Sequence, residues 1–356
     1  MNREKILLVC EKTGGHIFPA FAIAERLKLE VERKKALAPV IYFFSTSDFL
    51  KKYIEKKNYL SLGKALPFKN IFLLSLWRFF EALFILTRIR PNRIIGFGGR
   101  NSFFLVMVGA ACGIYTAVYE PNIVLGKANL LLSKFCRRLW LGFEEGKLSR
   151  LKKSRVLGVP LRENIVLVDK DKARKVLNLE DKPVVFCFGG SQGSLFINKM
   201  FVRFVRESQK DFQFIHITGR QGYFEISRLY NKINRRNFVK DFYYDIHVLY
   251  SASDIVVSRC GASTLGEISY FGIPPVLIPH PKAGGHQKRN AYYFKEKGAA
   301  FAVSQKDFDF ERFKITLEKL IDDRFLRQEV SGKVKKTGLG KNFKDFCARG
   351  LYEDLL

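Results

Sequence analysis

The sequence predicts an α/β protein made of two similar doubly wound domains, and three features carry that prediction. Thr13-Gly14-Gly15-His16 follows the apolar run Ile6-Leu7-Leu8-Val9, and Gly189-Gly190-Ser191-Gln192-Gly193 follows Val184-Val185-Phe186-Cys187-Phe188. Each corner opens a stretch of helical character. Glycines let the backbone turn sharply and present its N–H groups to an anion, and the helix start adds about half a positive charge. The third feature is an alternation of short apolar runs with amphipathic stretches along the whole chain, the rhythm of βα units. Two such corners about 175 residues apart imply two domains facing one another with a nucleotide between them.

In the first half the strands are expected at 5–10, 40–44, 93–97 and 115–119. Ala20, Ala24, Leu27 and Val31 recur at helical spacing after the first corner and predict one buried stripe. The second half restarts with strands at 183–188, 212–218, 237–242, 254–258, 275–279 and 299–303. Between the halves, Gly158-Val159-Pro160-Leu161-Arg162 and the charged segment that follows break the pattern. The expected domains are therefore 1–162 and 163–340, with a basic tail whose helix at about 341–356 packs back on the first domain.

With 356 residues the chain is long for one hydrophobic core, and 47% hydrophobic residues suffice for two. The 62 Lys and Arg against 34 Asp and Glu leave a charge of +28, enough to draw the chain to nucleic acid or to an anionic lipid surface. An RNP-like aromatic strand and a basic recognition helix are both missing, and the basic residues spread through both halves, so a nucleic-acid partner is not expected. Cys10, Cys112, Cys136, Cys187, Cys260 and Cys347 form no C-x-x-C pair and read as buried thiols of a reducing compartment. Met1 to Cys10 is too short an apolar run for a signal peptide and reads as the first strand.

Ile71 to Arg90 is a run of about twenty mostly apolar residues, long enough to be tested as a membrane span. Its Leu, Ile and Phe residues favour insertion by about 4–7 kcal/mol, and Arg78 with Glu81 opposes it by roughly 5–7. A span here would separate the strands before it from those after it. The expectation is a helix that packs one face on the sheet and rests Trp77, Phe79 and Phe80 on the membrane, beside Arg78, Arg88, Arg90 and Arg93. An ordinary core helix followed by a solvated basic loop is the other reading.

Ser258-Arg259-Cys260-Gly261-Ala262-Ser263-Thr264-Leu265-Gly266-Glu267 follows the strand Asp254–Val257. Small and hydroxyl residues at a helix start either cap it or hold phosphate oxygens, and Glu267 one turn in is placed to accept from two ribose hydroxyls. Gln287 and Asn290, after Gly284-Gly285-His286, suit sugar hydroxyls or a helix cap. Two Asp-x-Asp pairs, Asp169-Lys170-Asp171 and Asp307-Phe308-Asp309, lie away from the nucleotide-site strands, so no metal and no cofactor is expected.

These pieces in this order resemble the MurG family: Thr13 to Ala20, Gly96-Phe97-Gly98-Gly99, Glu120 with Asn122, Gly158-x-Pro160-x-Arg162, Gly189 to Gly193, Ser258-Arg259-x-Gly261-Ala262-x-Thr264, Glu267, and His286-Gln287-x-x-Asn290-Ala291. The resemblance covers residues from about 5 to 300. It implies a GT-B architecture of two Rossmann-like domains. The implied reaction is inverting transfer of N-acetylglucosamine from UDP-N-acetylglucosamine to undecaprenyl-linked muramyl-pentapeptide in peptidoglycan synthesis, at the cytoplasmic face of an anionic membrane. Carried over by position, Ser191, Gln192 and Gly193 meet the diphosphate, and the turn from Ala262 through Ser263, Thr264, Leu265 and Gly266 supports it. Glu267 takes the ribose, the backbone of Tyr243 meets uracil, and Gln287 with Asn290 serves the sugar. Thr13, Gly14, Gly15, Asn122 and Arg162 contribute from the first domain. His16 falls where a general base is expected, or caps its helix, and Glu120 is grouped with it as a catalytic candidate.

Departures from the family pattern concentrate in the first domain: Glu11-Lys12, Arg100-Asn101-Ser102-Phe103, Tyr119 and Pro121 around Glu120, and Val159, with Gly285 in the second. They leave open a related transferase acting on diacylglycerol, or a nucleotide-binding scaffold of weak activity. An epimerase of the same architecture would not need the lipid-facing surface.

Overall fold

A computed structural model of the chain describes residues 3–10, 14–46, 51, 54–63, 70–145, 147–162, 164–190, 193–231 and 233–341. Thr13, Ser191, Gln192, Cys347 and the expected terminal helix lie outside the described residues. The chain divides into two compact units, Met1–Arg162 and Glu163–Asn342.

The amino-terminal unit is built on β1 (Lys5–Val9), β2 (Val40–Phe44), β3 (Leu60–Leu62), β4 (Arg93–Gly96), β5 (Tyr115–Glu120), β6 (Arg138–Leu141) and β7 (Ser154–Val156), in the spatial order β3-β2-β1-β4-β5-β6-β7. Every pairing is parallel: β1 lies between β2 and β4, with Val9 opposite Phe44 on one side and Gly96 on the other. Alternation along the strands divides the core in two. Ile6, Leu8, Phe43, Ile95, Ala117, Tyr119 and Trp140 point to one face. They meet the Ala20, Ala24 and Leu27 stripe of α1 (Gly14–Arg33). Leu7, Val9, Ile94, Val118, Leu139 and Leu141 point to the other, against α2 (Ile71–Ile89) and α3 (Gly99–Ala111). A Cβ on Gly109 would strike Ile94 Cδ1 unless that side chain shifted, so α3 lies close to the sheet there.

α2 starts at Asn70, whose side chain accepts from Phe72 N at 2.9 Å and Leu73 N at 3.3 Å, and ends at Arg90 in the left-handed region. Ala82, Ile85, Leu86 and Ile89 form its buried stripe, while Phe72, Leu73, Leu76, Trp77, Phe79, Phe80 and Phe84 are exposed. No helix of the described residues is long and apolar enough to cross a membrane. Arg78 corrects the expectation: it is buried on the sheet side, paired with Glu81 and set over the Phe44 ring, because it lies one turn before Ala82 on the inward stripe.

The carboxy-terminal unit has six parallel strands. With β8 a short strand at Val159–Pro160 in the first unit, they are β9 (Val184–Phe188), β10 (Gln213–Ile217), β11 (Asn237–Lys240), β12 (Ile255–Ser258), β13 (Pro275–Leu277) and β14 (Phe301–Ala302), ordered β11-β10-β9-β12-β13-β14. After α4 (Lys127–Leu132) in the first unit, its helices are α5 (Lys170–Val176), α6 (Leu195–Glu207), α7 (Tyr223–Tyr230), α8 (Ile246–Ala252), α9 (Ala262–Phe271), α10 (His286–Glu296), α11 (Phe310–Asp322) and α12 (Arg324–Lys336). Val185, Cys187, Phe214, Val257 and Val276 pack on α6 and α11. Phe186 and Phe188 stack at 4.7 Å on the other face, beside Tyr250, which stacks on Phe271 at 5.1 Å. The Asp-x-Asp pairs are accounted for by capping: Asp169 accepts from Lys172 N, and Asp309 from Arg312 N. Cys10, Cys136, Cys187 and Cys260 are buried thiols, whereas Cys112 is exposed at the end of α3, where the expected burial does not hold.

Candidate nucleotide-sugar site

In each sheet the strand that leads into a glycine corner sits where the strand order reverses, and in open parallel sheets ligands bind at the carboxyl ends of strands around that point. In the second unit the register brings four loops together there. Phe188 pairs with Ser258, Ser258 with Leu277, and Phe188 with Ile217, so the segments that follow β9, β12, β13 and β10 leave the sheet side by side.

Backbone proximity sets the shape of the corner after β9. A Cβ on Gly189 would strike Ser194 N, and one on Gly193 would come within 2.5 Å of Thr218 O. Gly190 and Gly193 have φ of +90° and +76°, which only glycine adopts freely, and around Gly190 there is open space. Ser194 caps α6 and accepts at 2.7 Å from Nη2 of Arg259, whose Nη1 donates to Ile278 O and Pro279 O. Arg259 is buried, burial pulls its guanidinium below the usual arginine range, and its Nε lacks a partner among the described residues. A buried cation held by neutral acceptors alone favours an anion beside it. The sequence gives Arg259 no role, because only the fold brings it to Ser194.

α9 begins at Gly261, which supplies no side-chain cap, so the first N–H groups of the helix point outward at this same edge. Ala262, Ser263 and Thr264 are placed to use them. Leu265 and Gly266 are not: Leu265 N donates to Gly261 O at 3.0 Å with its side chain in the core, and Gly266 is buried against Gly340. Both shape the helix at this edge. Glu267, one turn in and half-buried, accepts from Tyr250 Oη at 2.9 Å, a bond that fixes its rotamer.

Gln287 and Asn290 hold the neighbouring loops. Gln287 Oε1 accepts from Cys260 N at 3.3 Å and from His280 N at 2.9 Å, and its amide donors have no partner among the described residues. Asn290 is fully buried and donates to Cys260 O at 3.1 Å, which pins the turn before α9. Tyr243 is half-buried in the loop before α8, edge-on to Phe238.

Behind the corner lies a buried polar strut that the sequence did not reveal. His216 Nδ1 meets Tyr230 Oη at 2.8 Å, its Nε2 meets Asn198 Oδ1 at 3.1 Å, and Asn198 Nδ2 donates to Thr218 O at 2.9 Å, beside Gly193. Burial pushes the imidazole pKa down to about 3. The unfolded ring takes a proton below about pH 6.5 and the folded ring does not, so stability is complete above that pH and falls as the pH drops toward 3. The expected slope is about 1.4 kcal/mol per pH unit from this group. Urea unfolding at pH 7.5 and pH 5 should show a larger loss for the parent than for His216→Gln; equal losses would remove His216 as the cause.

In the first unit, Gly14, Gly15 and His16 form the first turn of α1; their side chains lie outside the described residues. Arg162 sets its guanidinium 5.1 Å from the Phe18 ring centre. Glu120, at the end of β5, is buried with both oxygens occupied. Oε1 accepts from Asn122 N at 3.1 Å and Asn122 Nδ2 at 2.8 Å; Oε2 accepts from Gly126 N at 2.9 Å and Asn129 Nδ2 at 3.0 Å. A carboxylate with four donors on it, two from the loop, one at the start of α4 and one within it, organises that loop. The same network draws on Asn122, whose side chain it orients. Tyr119, one of the departures from the family pattern, is buried and donates to Gly158 O at 2.9 Å, tying the end of β5 to the segment that leads to Arg162. Ser102, another departure, is buried and donates to Val9 O and Gly98 O.

Comparison with known proteins agrees with the α/β architecture of both units. Residues 6–140 match the glycosyltransferase family 28 N-terminal domain, and residues 184–345 match the family's C-terminal domain. A UDP-N-acetylglucosamine–N-acetylmuramyl-(pentapeptide) pyrophosphoryl-undecaprenol N-acetylglucosamine transferase from Caldicellulosiruptor saccharolyticus is 32% identical, over 98% of this chain and 100% of its own. Its namesake from Desulfotalea psychrophila is also 32% identical, over 86% and 85%. Among solved structures, MurG of Acinetobacter baumannii superposes with a TM-score of 0.80 at 20% identity, covering 98% of this chain and 99% of that one. The UDP-N-acetylglucosamine 2-epimerase of Neisseria meningitidis shares the fold, with a TM-score of 0.68 at 13% identity over 98% and 99%. Matched by both family domains along most of its length, and by relatives end to end, the chain belongs to glycosyltransferase family 28, in its MurG branch.

Proposed function

We propose that the protein transfers N-acetylglucosamine from UDP-N-acetylglucosamine to the muramyl hydroxyl of undecaprenyl-linked muramyl-pentapeptide. The observation that carries this reading is the buried Arg259, with no carboxylate on it among the described residues, beside the glycine corner and the start of α9, which has no side-chain cap, with Glu267 one turn further on. That edge offers a cation and outward N–H groups for a diphosphate, and a fixed carboxylate for a ribose. The relatives at 32% identity bear the name of this reaction.

The chemistry follows from where charge moves. The acceptor hydroxyl attacks the anomeric carbon opposite the departing UDP, the glycosidic bond to phosphate breaks, and its electron pair goes to the diphosphate. The N–H groups of α9 and Arg259 meet that growing charge without rearranging, and a preorganised set of this kind is the largest single source of rate in many enzymes. The hydroxyl proton goes to a base, a role we assign to His16 in the first turn of α1. One displacement inverts the sugar, so the α-linked donor gives a β-linked product. NMR of the product tests this; retained configuration would contradict it.

On this reading Glu267→Ala removes an acceptor for two ribose hydroxyls and should weaken UDP binding by about 1–3 kcal/mol. Calorimetry with UDP checks it, and unchanged affinity removes Glu267 from the site.

We also infer that the protein docks on the cytoplasmic face of an anionic membrane through α2. The exposed Phe72, Leu76, Trp77, Phe79 and Phe80, in a chain of charge +28, favour shallow insertion with basic residues on the headgroups. Binding to vesicles should rise with anionic lipid and fall in high salt. A Trp77→Ser/Phe80→Ser variant should bind vesicles at least tenfold more weakly while holding UDP as the parent does; parent-like vesicle binding would place the docking surface elsewhere.

A further inference from the structure

A groove of about 820 Å³ runs along one flank of α2, between that helix and the β2–β3 edge of the first sheet. Its walls are apolar: Tyr42 and Leu62 on the strand side, Trp77, Phe80, Phe84 and Ile85 on the helix side. Trp77, Phe80 and Phe84 follow one another at helical spacing and are each half or more exposed, so they form a continuous rail along the opening. The exposed residues Phe72, Leu76 and Phe79 do not line it. The aromatic surface of α2 therefore has two parts, a flat one and a channelled one. The volume lies within the ~300–1,000 Å³ typical of small-molecule sites, which are mainly apolar with few polar groups.

The rim of the groove indicates what enters it. Lys5, Lys51 and Arg88 stand at its border with Glu55 and Glu81, and Glu81 is already paired with Arg78. Lys5 Nζ is held at 3.0 Å from Ile89 O, at the end of the rail, and Arg88 lies 5.9 Å from the Phe84 ring centre. An apolar channel with a net basic rim complements a molecule with one long apolar chain and an anionic head.

We propose that this groove takes one acyl chain of an anionic membrane phospholipid, its phosphate at the Lys5 and Arg88 rim, while the flat part of α2 rests on the bilayer. The proposal rests on the membrane-docking reading above and adds a stoichiometric lipid site to it. Bulk insertion needs a bilayer, whereas a groove binds a single lipid in solution.

The test uses lauroyl lysophosphatidylglycerol below its micelle-forming concentration, added to the full chain while tryptophan fluorescence is followed. Trp77 lines the groove, and Trp140, the other tryptophan, is sealed in the core, so the signal reports the groove. Saturable binding of one lipid per chain is expected, with the choline lysolipid at least fivefold weaker and inorganic phosphate without effect. Phe84→Glu, at an exposed position, should weaken the binding at least tenfold without changing the melting temperature. Ser61→Leu, which fills the strand side, should do the same, and Phe72→Ser should leave it within twofold while weakening vesicle binding. The proposal is overturned if no saturable binding occurs below the micelle concentration, if Phe84→Glu and Ser61→Leu bind as the parent does, or if farnesyl phosphate binds more tightly than the acyl lipid. In the parent protein, absence of saturable lysolipid binding with vesicle docking intact sinks the groove alone; absence of both sinks the docking reading with it.

Discussion

Glu120→Ala should lower the folding stability of the amino-terminal unit by about 3–5 kcal/mol, because it strands four donors around a buried position. The Asn122 and Asn129 amides and the N–H groups of Asn122 and Gly126 all converge on that carboxylate, and three of the four lie between Pro121 and the start of α4. Glu120→Gln keeps the shape but turns one acceptor into a donor that faces other donors, so it should cost less than alanine and still lower the melting temperature. Urea unfolding of the three proteins checks this. A catalytic Glu120 would give the opposite signature, with turnover lost in the glutamine variant while its unfolding curve matches the parent's.

His16→Ala should lower turnover by about 10²–10⁴-fold, the usual contribution of a positioned base, and leave UDP affinity within twofold. The residue sits in the first turn of α1, beside the corner that follows β1. On the function proposed above, His16 takes the proton of the acceptor hydroxyl as a general base. Turnover close to the parent's combined with a lower melting temperature would make His16 a cap of α1 and nothing more.

The sequence made the ladder of strands legible because a parallel sheet buried on both faces requires continuous apolar runs, and Ile6–Val9, Val184–Phe188 and Ile255–Val257 are such runs. β3, β6 and β7 escaped it. They are three or four residues long, and Ser154–Val156 is only half-buried, so neither length nor periodicity marks them. The inward turn of Arg78 was available in principle, since positions 78, 82, 85 and 89 keep helical spacing; an arginine on such a stripe reads as a surface residue until its partner Glu81 is seen beside it. In the candidate site, glycine corners and the acidic residue one turn into α9 were visible as patterns. The holding tasks of Glu120, Asn290 and His216 were not, because each joins loops that only the folded register brings together, such as Cys260 with Asn290 thirty residues on. Residues that bind the backbone and residues that bind a ligand are drawn from the same polar types, and a single sequence does not separate them.

The measurement that tests the account most directly is transfer of label. Purified protein is incubated with UDP-N-acetylglucosamine labelled in the sugar and, in parallel, with vesicles carrying undecaprenyl-linked muramyl-pentapeptide or diacylglycerol. The account predicts label in the muramyl lipid, with one UDP released per sugar transferred, and none in diacylglycerol. Label in diacylglycerol alone, or free N-acetylmannosamine-type product from the donor with neither lipid labelled, would contradict it.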